Sequence, residues 1–140
     1  MKKFQHVGTL KVKLQKGRYR NKDLTKNSKI LLGNSGIQLG SKGNIGIREI
    51  ISAKKILAKT FKGVAKLWVR FMPERSITKK PSEVRMGKGK GKPYTWVYNV
   101  KAGMILFEFS AFIMTKGIRK NVETAMSKLS FPTKFIRRLF

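Results

Sequence analysis

The chain has 140 residues and 16.0 kDa, with 33 Lys and Arg against 6 Asp and Glu, a formal net charge of +27. That length suits one domain and an apolar content of 41% fills a core, so the chain is not a disordered basic tail, and its self-repelling surface wants an anionic partner. No Cys and a single His, His6, exclude disulfides, thiolate zinc sites, Cys nucleophiles and metal sites built on two His.

The six acids, Asp23, Glu49, Glu74, Glu83, Glu108 and Glu123, show no paired spacing, so no catalytic residues, no metal ligands and no cofactor are expected. The longest uncharged stretch, residues 30–41, has twelve residues and three glycines, short of the roughly 20 apolar residues of a membrane span. The opening residues lead into no apolar segment of signal-peptide length, which predicts a protein that works where it is made.

Residues 1–29 carry ten basic side chains and one acid, +9 in all, and Val12 and Leu14 alternate with Lys11 and Lys13. This predicts a basic N-terminal arm holding a short strand. Glycines at 33, 36, 40 and 43, with Ile30 and Leu32 and then Ile37 and Leu39 at period two, predict short strands joined by turns. Between Ile47 and Lys62 the period lengthens, and Ile47, Ile50, Ile51, Leu57, Ala58 and Phe61 share one face of a helix, with Lys54 and Ile56 breaking the pattern. One flank of that face carries Arg48, Lys55, Lys59 and Lys62. Lys55 and Lys59 repel at i,i+4, at a cost of about a few tenths of a kcal/mol. An ordinary solvated face mixes its signs; this one does not, and a phosphate backbone would make the stripe attractive.

Residues 67–72, 95–100 and 104–109 have strand composition, and the last two, joined by Lys101-Ala102-Gly103, predict a hairpin. Ile118, Val122, Ala125, Met126 and Leu129 predict a second amphipathic helix, capped by Thr115 and carrying Arg119 and Glu123 as an i,i+4 pair. Residues 131–140 mix aromatics with Lys134, Arg137 and Arg138, as a final strand or a second anchoring tail. The expected organisation is therefore an arm over 1–29, a single α+β domain over 30–130 with a mainly antiparallel sheet and two amphipathic helices, and a basic, aromatic C-terminal extension over 131–140.

The most informative segment precedes the strand at 95–100: Arg85-Met86-Gly87-Lys88-Gly89-Lys90-Gly91-Lys92-Pro93. It is not a P-loop, because the residue five positions beyond Gly87 is Lys92, and the dinucleotide pattern needs a glycine where Lys92 stands. Alternate glycines let the backbone approach a polyanion while Lys88, Lys90 and Lys92 supply charge. Ordering such a loop is costly unless it meets a partner.

Lys66 to Pro73, then Ile77-Thr78-Lys79-Lys80-Pro81, then Val84 to Gly91, together resemble the bacterial-type large-subunit ribosomal protein L-sixteen family in order and spacing. Lys16-Gly17-Arg18-Tyr19-Arg20 is similar to that family's basic box, and Gly33 to Ile37 to its glycine-rich turn. The first thirteen residues and Lys92-Pro93 depart from the family pattern. The resemblance implies a hammerhead-type α+β fold and a non-enzymatic structural constituent of the large ribosomal subunit. Its implied partners are large-subunit rRNA, the tRNA acceptor arm and A-site region, and neighbouring ribosomal proteins, rather than further copies of itself. It also implies that residues 85–92 reach toward the peptidyl-transferase region, with Arg85 matching an arginine hydroxylated in some bacterial members. The expected rRNA-binding residues are Lys11, Lys13, Lys16, Arg18, Tyr19, Arg20, Arg48, Lys55, Lys59 and Lys62. A sequence-neutral DNA-binding architectural protein is the alternative; it would share the charge but has no reason to carry the 68–91 constellation.

Residue choice points to an AT-rich genome, since Lys outnumbers Arg 24 to 9 beside 12 Ile and 9 Phe. A mitochondrial ribosome is the expected location, with a bacterial cytoplasm or a plastid as the alternative.

Overall fold

The computed structural model describes residues 13–15, 28–111 and 115–138. Among them the chain forms β1 (Ser35–Leu39), β2 (Gly43–Gly46), α1 (Ile47–Thr60), β3 (Leu67–Val69), β4 (Arg75–Lys79), β5 (Lys92–Val100), β6 (Ile105–Phe109), α2 (Lys116–Met126) and β7 (Thr133–Arg137). The strands make two antiparallel sheets, one ordered β3-β6-β1-β7 and the other β2-β5-β4, so the architecture is α+β as expected.

The core lies between the four-stranded sheet and the two helices, which pack on each other. Ile37 and Leu39 of β1, Ile50, Ala53 and Leu57 of α1, Phe107 and Phe109 of β6, and Val122 and Ala125 of α2 are all buried there. The Phe109 ring stacks on Phe61 at 4.6 Å and on Phe135 at 5.9 Å, which joins α1's end to β6 and β7. In α1 the buried face includes Ala53, which hydropathy alone passes over, while Ile47, Ile51 and Ala58 are only half-buried and Ile56 packs at the core's edge.

The expected hairpin between 95–100 and 104–109 does not form. β5 belongs instead to the other sheet, where β2 pairs with its residues 97–100 along one edge and β4 with its residues 92–97 along the other. The turn at 101–103 therefore crosses between sheets. Gly103, at φ +86°, donates its N–H to Leu39 O at 2.7 Å, and Leu39 N donates to Met104 O at 2.8 Å, which delivers β6 beside β1. All five β6 residues are buried, as befits a strand inside a sheet with both faces covered. The register slips between Ile37 and Gln38, so Phe107 faces Ile37 and Ile105 faces Gln38, with Leu106 as the extra residue of a bulge.

Other expectations shift as well. Ile30 and Leu32 lie in no strand, and Lys13–Gln15 have no regular structure; Lys11 and Val12 are outside the described residues. The strand expected over 67–72 stops at Val69, and β4, unpredicted, pairs with β5 through Ile77 opposite Thr95. The final segment adds β7 to the sheet, Phe135 opposite Ile37. Thr115 caps α2, its hydroxyl accepting from Ile118 N at 3.4 Å.

Two carboxylates secure this frame. Glu108, fully buried, accepts N–H bonds from Leu32 at 2.7 Å and Gly33 at 3.0 Å, a longer one from Leu31 at 3.3 Å, and pairs with the Arg70 guanidinium. Glu49 accepts from Gly46 N at 3.2 Å at the start of α1 and from Ser130 N at 3.0 Å and Ser130 Oγ at 2.7 Å. No helix among the described residues is long and apolar enough to cross a membrane.

Candidate nucleic-acid interface

The Gly/Lys segment leaves β4 at Lys79 and returns as β5 at Lys92, so its two ends are cross-strand partners. Lys79 and Lys92 stand directly opposite each other, a like-charge pair that weakens the ladder until an anion joins it. The three glycines act for different reasons. Gly87 (φ +99°) and Gly89 (φ +79°) hold left-handed backbone with open space around them, and Lys88 between them also has positive φ, at 51°. At Gly91 the reason is contact: a Cβ there would lie 2.7 Å from the Lys79 carbonyl.

Cations brace the loop through backbone oxygens. The Lys80 ammonium donates to Gly87 O within the loop. Lys13 Nζ donates to Lys90 O at 3.0 Å, Lys90 Nζ returns a bond to Leu14 O, and the Arg75 guanidinium donates to Gln15 O. Residues 13–15 are thereby held against β4 and the loop base, although more than seventy positions of sequence separate Lys13 from Lys90.

A recess of about 690 Å³ opens at this junction. Lys13, Lys79, Lys80, Lys88, Lys90 and Lys92 all line it, together with the three glycines and Tyr94, and among the described residues no carboxylate does. Tyr94 is 60% exposed, with Lys79 Nζ 5.5 Å from its ring centroid. Farther along β5, Tyr98 stacks on Phe71 at 4.4 Å; burial first, and then the Glu74 charge, pushes its phenol above the ordinary value of 10.0.

The sequence-predicted residues thus fall into three groups. Lys13, Lys88, Lys90 and Lys92 converge on the recess with Gly87, Gly89 and Gly91, while Arg85 and Met86 are exposed on the way into it. Arg48, Lys55 and Lys59 are exposed on α1 and Lys62 in the turn after it, a separate stripe that does not line the recess. Lys11, Lys16, Arg18, Tyr19 and Arg20 lie outside the described residues. Lys79, Lys80, Arg75 and Tyr94 were not predicted as site residues. The available signal was their position at the two ends of the Gly/Lys segment, which pairing of β4 with β5 turns into proximity.

This arrangement offers ammonium groups and accessible glycine backbone to a polyanion, with no carboxylate and no group of metal-ligating side chains among the described residues lining the recess. Comparison with known proteins gives the same direction. The chain is 39% identical over 127 residues to the large ribosomal subunit protein uL16 of Wigglesworthia glossinidia brevipalpis, an alignment covering 91% of each chain. It is 38% identical over 126 residues to the protein of that name from Leptospira biflexa serovar Patoc, covering 90% of each. A family model described as ribosomal protein L16p/L10e matches residues 9–136, and the chain belongs to that family.

Proposed function

We propose that this chain is a structural, non-enzymatic constituent of the large ribosomal subunit that binds rRNA through its cationic surfaces and extends residues 85–92 toward the peptidyl-transferase region and tRNA. Membership of the ribosomal protein L16p/L10e family supports the subunit and the rRNA. The observation that supports the loop's part is the convergence of six lysines on one recess that no carboxylate among the described residues lines. A flexible strand of phosphates satisfies such a surface; a neutral or cationic partner does not. The Arg48, Lys55, Lys59 and Lys62 stripe supplies a second phosphate-facing surface, and neighbouring ribosomal proteins are the expected contacts elsewhere. The comparisons lend nothing to the DNA-binding alternative.

The relatives named above are bacterial. Residue choice favours a mitochondrial ribosome, with a bacterial cytoplasm or a plastid as the alternative, and sedimentation of lysates from purified organelles alongside cytosol distinguishes them.

Counterion release makes the reading testable. Affinity for a large-subunit rRNA fragment should fall steeply, by roughly a thousandfold or more, between about 50 and 200 mM salt. Replacing Lys88, Lys90 and Lys92 together by Ala should reduce the salt slope and impair translation by ribosomes shown to contain the variant. A flat salt response, or unchanged translation, would contradict the corresponding half of the proposal.

A further inference from the structure

We infer that Tyr94 is a stacking platform for an unpaired RNA base, with the lysines around it holding the flanking phosphates. The inference deepens the RNA-binding reading and rests on it. Tyr94, Trp96 and Tyr98 recur at period two along β5, and the register with β4 slips between Pro93 and Thr95, which leaves Tyr94 as the extra residue of a bulge. Tyr98 is committed to the protein by its stack on Phe71, whereas Tyr94, at the far end, is 60% exposed and lies beyond the core. An aromatic face exposed at the edge of a cationic recess is available to a base that arrives with its phosphates.

Its setting has what base stacking needs. The ring stands on the part of β5 that pairs with β4, between the cross-strand pairs Thr95–Ile77 and Pro93–Thr78, and directly after Pro93, whose fixed φ limits backbone freedom; this lowers the order lost when a base arrives. Lys79 over the ring and Lys92 across the ladder supply charge to either side of one nucleotide, and their mutual repulsion is relieved when a phosphate lies between them. The recess, about 690 Å³, is within the size range of small-ligand sites. Single-stranded RNA is recognised by this pairing of an aromatic face for the base with cations for the backbone, and stacking tolerates any base because each has a π-face.

The test separates stacking from charge. Full-length protein is titrated with a single-stranded oligoadenylate and with an abasic ribose-phosphate oligomer of equal length and charge, at several salt concentrations. The unmodified chain should prefer the oligoadenylate by about five- to a hundredfold. Tyr94→Ala and Tyr94→Leu should lose that preference, and Tyr94→Phe should keep it. Circular dichroism of each variant establishes that the sheet is intact, and the conservative Phe and Leu pair decides the matter even where the Ala variant folds poorly. Equal, salt-dependent binding of the two oligomers by the unmodified chain would overturn the stacking site while leaving the electrostatic reading in place. A preference retained by Tyr94→Leu would overturn it too. Absence of binding to either oligomer at low salt would overturn both.

Discussion

Glu108 shows how much of this small protein depends on a single side chain. It is the one charged residue of β6, fully buried, and it gathers the Arg70 guanidinium with the amides of Leu31, Leu32 and Gly33. Arg70 also donates to Lys29 O at 3.4 Å, so one ion pair ties the 29–33 segment to β6 and to the residue following β3. Removing one partner of a buried pair leaves the other without its compensating charge, a larger loss than the pair's net worth. Glu108→Ala should therefore lower unfolding stability by about 3 kcal/mol, and Glu108→Gln by less because it keeps an acceptor and the shape. Urea denaturation of the two variants beside the parent checks both the size and the order; equal stability of all three would refute this account of Glu108. In the sequence this acid is isolated among apolar neighbours, and its role was not legible. Its partners are backbone amides some 75 positions away, and no side-chain pattern advertises an amide.

At the scale of elements, helices were readable and strand partners were not. The 3.6-residue period of α1 and α2 is carried within each segment, so both helices emerged from local sequence, with Thr115 as the cap, although α1 stops at Thr60 rather than Lys62 and α2 at Met126, which leaves Leu129 buried just beyond it. Strand pairing is a property of two segments, and the short Lys101–Gly103 link made β5 and β6 look like neighbours, though β5 pairs with β2 and β4 in the other sheet. The Gly/Lys loop was legible as a candidate site, whereas the closure of its base was not, because β4 reads Arg-Ser-Ile-Thr-Lys and has little apolar content. The base yields a contrast between two glycines. Gly91→Ala drives a methyl into the Lys79 carbonyl and should spread the β4/β5 ladder, lowering Tm by several degrees, on the order of 1–3 kcal/mol. Gly89→Ala meets open space and strains only the local φ, at about 1 kcal/mol. Thermal melts should accordingly rank Gly91→Ala below Gly89→Ala; the reverse order would show that the loop's conformation matters more to stability than its anchorage.

For the molecule as a whole, the +27 of the sequence acquires an arrangement. Glu49 and Glu108 are engaged in holding the frame, which leaves Glu74, Glu83 and Glu123 as the exposed acids among the described residues. Self-repulsion of this kind destabilises the compact state and is screened by salt, over about 10 Å at 0.1 M. The free protein should melt higher as salt rises, and higher still with sulfate or phosphate at equal ionic strength, while its affinity for RNA moves the opposite way. A Tm that falls with added salt would contradict this balance. Charge sign, α+β class and the position of the Gly/Lys loop were all legible in the linear sequence, since each is a local or summed property. The crossing of the chain between its two sheets at Gly103 was not, and it has a kinetic consequence. In the four-stranded sheet Ser35 must find Phe109, Leu67 must find Phe109 and Leu39 must find Thr133, so every ladder there closes a long loop and the β4/β5 pair is the local nucleus on offer. Such topology folds slowly. Until β6 is inserted, its five buried residues are open to water and the core that they complete cannot close.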